Sequence, residues 1–199
     1  MRIIKVLKIA LASFIVLVGL ISFAHAAPLP VSIVTGSAGS YNNSDGLLTD
    51  NTFAVEGSVW TGSTNVWWYD ANSNYPVFYI MYDDIYRLED MIVSVDNNDN
   101  YNVDYFNYSA NSWFSLFSIL SEYGNVTWGM DTFVIQTEIG FTPVNTDFIR
   151  IYGNGGDGMY AISEVWAWGS PISTPEPATM LLLGLGLLGL VGVRRKTQK

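Results

Sequence analysis

Met91-Ile92-Val93-Ser94-Val95, Asp96-Asn97-Asn98-Asp99-Asn100 and Tyr101-Asn102-Val103-Asp104-Tyr105 run end to end in the chain. The two outer stretches are rich in β-branched and aromatic residues and the middle one has turn composition, so together they read as two strands joined by a solvated hairpin turn. The same grammar repeats outward. Val31 to Val34, Val77 to Met81, Phe133 to Gln136, Phe148 to Tyr152 and Glu164 to Trp168 are further short strands. Gly153-Asn154-Gly155-Gly156-Asp157-Gly158 is a loop that only a glycine-rich backbone tolerates comfortably. Helical spacing is weak and confined to Trp113 through Glu122. Many short strands separated by turns predict an all-β sandwich, with no internal repeat and no linker to divide it.

Both ends of the chain differ from this middle. Arg2, Lys5 and Lys8 precede the apolar run Ile9 to Phe23 and the small-x-small pattern Ala24-His25-Ala26, which together form a secretory signal peptide over residues 1–26. At the other end, residues 175–199 hold Pro175-Glu176-Pro177, the apolar run 178–193 and the basic cluster Arg194-Arg195-Lys196. Sixteen apolar residues make a helix of about 24 Å, short for a hydrocarbon core of about 30 Å. Such a helix suits a temporary hold in the inner membrane, an uncut permanent anchor being the other reading. The basic end stays in the cytoplasm and leaves the domain outside.

Residues 27–174 remain as one extracytoplasmic domain. Of the nine Lys and Arg in the chain only Arg87 and Arg150 fall within it, against seventeen of the eighteen acids, for a net charge of −15. That surface repels nucleic acid and favours cations or neutral ligands. The only His, His25, leaves with the signal, and the chain has no Cys. A His-based triad, a thiol nucleophile, an imidazole or thiolate zinc site and a disulfide framework are therefore excluded from the domain. Asp83-Asp84 and Glu89-Asp90 supply carboxylates, but no nucleophile motif accompanies them, so the expectation is a non-catalytic protein.

The tail resembles the PEP-CTERM sorting signal of exported proteins in Gram-negative bacteria: the Pro-Glu-Pro tripeptide, one apolar helix carrying Gly184, Gly186, Gly189 and Gly192, and an Arg-rich end. The resemblance implies an exosortase as partner, processing near Pro175, Glu176 and Pro177, retention by Arg194 and Arg195 until then, and delivery to the cell surface or extracellular matrix. Residues 45–169 resemble the discoidin, or coagulation factor 5/8 type C, branch of galactose-binding-like jelly rolls. The pieces that carry this are Leu48 to Thr52 with Trp60, Tyr79 to Asp83 with Arg87 to Val95, Tyr101 to Tyr105 with Trp113, and Phe148 to Ile151 leading to Ile162 through Gly169. Asn51 stands where that family usually has Gly, and Tyr82-Asp83-Asp84 replaces its usual Asp-Leu-Gly. Val103, Tyr105 and Trp113 match its core positions.

The jelly-roll resemblance implies a structural Ca²⁺ joining the start and end of the domain, with Asp50 and Glu164 as its carboxylates. The Thr52 hydroxyl and the carbonyls of Leu47 and Ala161 would complete the oxygen shell. In the alternative, Asp50 is a turn residue and Glu164 pairs with Arg150. The stretch Asp96 to Asn100 imitates the opening of an EF-hand loop, but Tyr101 and Asn107 replace the Gly and Glu that loop requires, so it reads as a plain turn. Trp67, Trp68 and Tyr69 sit in an Asn-rich segment and cannot all face one core if extended. Exposed rings flanked by amides and carboxylates suit sugars. The expected function is a surface or matrix protein binding exopolysaccharide or another neutral glycan, the alternative a structural or adhesive biofilm matrix component without a sugar pocket.

Overall fold

The computed structural model describes residues 27–172 apart from Ala38, residues 70–74, Asn125 and Thr127. The expected signal peptide, the expected helix 178–193 and the expected processing residues Pro175, Glu176, Pro177, Arg194 and Arg195 lie outside the described residues.

One strand organises the domain. β3 (Phe78–Asp96) is 19 residues long and changes neighbours along its length. Its first part lies between β1 (Val31–Gly36) and β7 (Val144–Gly153), and its last part between β8 (Met159–Pro171) and β6 (Met130–Val134). β4 (Tyr101–Asn107) and β5 (Ser112–Ile119) extend the first layer beyond β7, and β2 (Val66–Tyr69) extends the second beyond β8. Every pairing is antiparallel, and the result is a curled jelly-roll β-sandwich whose two layers share β3.

The strand can turn this corner because its pattern breaks twice. Phe78, Ile80 and Tyr82 point inward with strict alternation, then Asp83-Asp84-Ile85 stands exposed where the β3–β7 register shifts. A second shift at Leu88/Asp90 moves the inward set from Leu88 to Met91, Val93 and Val95. Such bulges bend a strand and reset which face each side chain occupies. Between the layers Phe78, Ile80, Val103, Ile149 and Ile151 meet Val93, Val95, Ile162, Val165 and Ala167 in a single core.

Three sequence expectations change. Residues 77–81 and 91–95 are parts of one strand. Trp113 to Glu122 is not helical: Ser112–Ile119 is an edge strand on β4. The second half of the run Phe133 to Gln136 turns into the one-turn helix α1 (Ile135–Glu138). Val103 is fully buried and Tyr105 packs against the core, but Trp113 lies on the outer face with Tyr79, Phe106 and Phe148.

Candidate functional site

Asp50 and Glu164, 114 residues apart in the chain, converge on one backbone amide. A short 3-10 turn, Asp45–Thr49, ends at Asp50, and the following segment is pinned to β8 where that strand bulges at Ser163. Ser163 Oγ accepts the Ala54 N–H at 3.0 Å. The Thr52 N–H donates to Asp50 Oδ1 at 2.9 Å and to Glu164 Oε2 at 2.8 Å. Glu164 is fully buried and its Oε1 has no partner. Burial first, then the nearby Asp50 carboxylate, pushes its carboxyl up to about 7 against the opposing pull of the Thr52 and Asn51 amides.

This arrangement fits a cation in part. Asp50, Thr52 and Glu164 are together, and a buried, orphaned carboxylate oxygen asks for a positive partner. Leu47 is half-buried in the adjoining 3-10 turn. Ala161 is engaged elsewhere: its carbonyl accepts the Tyr101 hydroxyl at 3.0 Å and its N–H donates back to that oxygen at 3.0 Å. Arg150 does not reach Glu164. It pairs with Asp104 at 2.6 Å and lies 4.6 Å over the Trp113 ring, which corrects the alternative ion pair.

The aromatic triplet divides as period two requires. Trp68 is fully buried, stacked on Tyr160 at 5.3 Å, and tilted against Phe78. It is a packing residue, which corrects its assignment to a ligand surface. Trp67 and Tyr69 face the other way and meet Trp60 in mutual edge contacts, with centroids 5.3 to 5.8 Å apart. Trp67 leans on Ala54, Met130 and Ala161, and Tyr69 is 53% exposed.

Tyr69 also lines a cleft of about 510 Å³ whose other walls are Tyr75 and Gly155 through Tyr160. The glycine loop can lie here because Gly155, Gly156 and Gly158 all have positive φ (97°, 116° and 82°). Asp157 is held rigidly at its centre, Oδ1 accepting the Met159 N–H and Oδ2 the Asn98 amide. Sequence reasoning noted this loop without joining it to Tyr69. Its high glycine content beside a carboxylate was the available signal, but nothing along the chain showed which rings it would meet.

The Asp96 to Asn100 turn is neither solvated nor a hairpin, contrary to expectation: β4 pairs with β5 and β7, not with β3. Asp96, Asn97 and Asp99 are buried because two other segments close over them. The Asn97 N–H donates to the Gly129 carbonyl, the Asn100 N–H to Gly155, and the Ser121 N–H to Asn100 Oδ1.

Comparison with known proteins gives one match by family description, the PEP-CTERM protein-sorting motif, over residues 173–196. No curated protein matches the chain. Similar solved structures include the CBM32 of AlyQ in complex with 4,5-unsaturated mannuronic acid, at 14% identity, 71% of this chain, 98% of that one and a TM-score of 0.47. Another is CpGH89CBM32-6 produced by Clostridium perfringens, at 12% identity, 69% and 94% coverage and a TM-score of 0.43. A third is GH31 CBM32-2 bound to GalNAc, at 12% identity, 72% and 100% coverage and a TM-score of 0.47.

Proposed function

We propose that this domain, secreted and sorted to the cell surface under its PEP-CTERM motif, binds a neutral glycan such as an exopolysaccharide through the cleft of Tyr69, Tyr75 and the 155–160 loop. The observation that carries this reading is that two exposed phenol rings line a cleft whose remaining wall is glycine backbone around a fixed carboxylate. Rings offer apolar stacking to a sugar face. The lone pairs that Asp157 does not spend on Asn98 and Met159, and the loop's peptide groups, offer hydrogen bonds to its hydroxyls. Trp67 and Trp60 support Tyr69 from beside the cleft. The module is non-catalytic in this reading, and exosortase acts on the tail near Pro175, Glu176 and Pro177 after transient anchoring in the inner membrane.

A structural Ca²⁺ belongs to the proposal. Asp50, Thr52 and Glu164 would hold it, and when bound it supplies the positive charge that lets two facing carboxylates ionise while tying the segment after Thr49 to the last strand.

Glycan-array and polysaccharide pull-down measurements test the reading, with a Tyr69→Ala, Tyr75→Ala double variant as control. Both rings are exposed, so the variant folds, and binding is expected to fall at least tenfold. Unchanged binding in the variant, or no binding of any sugar by the native protein, overturns the proposal. One observation favours the adhesive alternative: Tyr79, Phe106, Trp113 and Phe148 form a ring patch on the outer face of the first layer, edged by exposed Tyr108. A matrix component using that patch would associate with itself or other matrix protein and keep doing so when the cleft rings are removed.

A further inference from the structure

The turn joining β3 to β4 buries carboxylate oxygens that no donor reaches. Asp96 is 1% exposed, and neither of its carboxylate oxygens has a hydrogen-bond partner. Asp99 is fully buried; its Oδ1 accepts the Gly158 N–H at 3.2 Å, and its Oδ2 has no partner. Between them Asn97 donates its side-chain amide to the Val126 carbonyl and leaves its own Oδ1 buried and unpartnered. Charges taken out of water are normally paired or bound to a metal, and an orphaned buried oxygen in a native fold calls for an explanation.

Protein cations do not supply one. Arg87 and Arg150 are the only basic residues between 27 and 174, and they are committed to Glu89 and Asp104. Asp157 approaches from the glycine loop, but both of its oxygens are in use, on Met159 N–H and the Asn98 amide. The three acids face one another: burial and then Asp99 and Asp157 push the Asp96 carboxyl up to about 7, and burial with Asp157 pushes Asp99 up to about 6. What is left free is Asp96 Oδ1 and Oδ2, Asp99 Oδ2 and Asn97 Oδ1, all oxygens and all dry.

We propose that Asp96 and Asp99 bind a hard divalent cation, Ca²⁺ by its chemistry, in the turn that carries the chain from β3 to β4, as a second site separate from the Asp50 and Glu164 pair. The donors are oxygen only, which selects against zinc and other metals that prefer nitrogen or sulfur. Among the described residues no three acidic groups are already gathered at ligand distance, so main-chain carbonyls or water complete the shell. An incomplete and irregular shell is tolerated by Ca²⁺, which takes about 6 to 8 oxygens in flexible geometry, better than by the strictly octahedral Mg²⁺. The EF-hand likeness of this stretch plays no part, because Tyr101 and Asn107 are paired within β4.

Equilibrium dialysis of the purified protein against CaCl₂ tests the site by counting. Glu164→Gln protein is expected to retain one Ca²⁺ per chain, and adding Asp99→Asn is expected to abolish it. The amide oxygen of Asn can still accept the Gly158 N–H, so this variant keeps the turn's hydrogen bond and folds. Asp96→Asn, which removes no hydrogen bond, provides an independent second variant with the same expected loss. Retention of no Ca²⁺ by Glu164→Gln protein, or of one after either aspartate is changed, overturns the proposal and leaves the two acids as buried neutral carboxyls. Glycan binding is measured separately, so its failure does not bear on this result.

Discussion

Replacing Trp68 by Ala removes a fully buried indole from between Phe78 and Tyr160. The cavity is expected to cost about 3–5 kcal/mol, read from the denaturant midpoint, whereas Tyr69→Ala on the exposed side of the same strand costs under about 1 kcal/mol. Equal losses at the two positions would mean that β2 is not in the register described. The opposite orientation of neighbours 67, 68 and 69 was legible from period two alone. Which side faced the core was not, because that depends on β2 pairing with residues 159–162, nearly a hundred positions away. Asp50 and Glu164 are legible through the jelly-roll resemblance, and in the fold both accept the Thr52 N–H. Asp96 and Asp99 were misread as solvated because turn composition reports local backbone preference and says nothing of the segments that later fold over it.

The glycine loop between β7 and β8 is the element where backbone chemistry shapes the cleft most directly. At Gly156, φ is 116° and an added Cβ would lie 2.1 Å from Asp99 Oδ1 and 2.6 Å from its Cα. Gly156→Ala therefore combines left-handed strain with a backbone clash, and a loss of more than about 2 kcal/mol is expected. Thermal melts measure the loss, and glycan binding by whatever remains folded should weaken as the cleft wall shifts. A variant as stable as the native protein would show that the loop and turn are not in contact. The sequence shows two short strands where the fold has one, because Asp83-Asp84-Ile85 interrupts the alternation, and in the fold that interruption is the bend itself. Trp113, Leu116, Phe117 and Leu120 fall at helical intervals, which is the weak helical spacing of residues 113–122. In the edge strand, Trp113 lies with the outer rings and Phe117 with the core, so apolar residues on two faces imitate one stripe.

At the scale of the whole molecule the excess of acid makes stability depend on pH and cation together. Asp96, Asp99 and Glu164 have carboxyls raised above their ordinary values, to about 7, about 6 and about 7, chiefly by burial and then by Asp99, Asp157 and Asp50. A raised carboxyl binds its proton more tightly in the folded state, so its contribution is present at low pH and is lost as pH rises through about 6 to 7. With chelator present, the melting temperature is expected to be several degrees lower near pH 8 than near pH 5, and Ca²⁺ should remove most of the difference. A metal-free protein that melts higher at pH 8 would contradict the environments described for these three groups.

The course of β8 has a consequence for how the domain meets its surroundings. Its last residue, Pro171, lies opposite Tyr86, and the first residue of β1, Val31, lies opposite Tyr82, so both chain ends leave from one corner of the sandwich. The other end of β8 is Met159, in the wall of the cleft. Twelve steps of about 3.3 Å set the two roughly 40 Å apart. The strand is thus a stand-off: a surface that grips the molecule by either end of the domain has the cleft facing away from it, and molecules packed side by side would form a brush with their clefts at the tips.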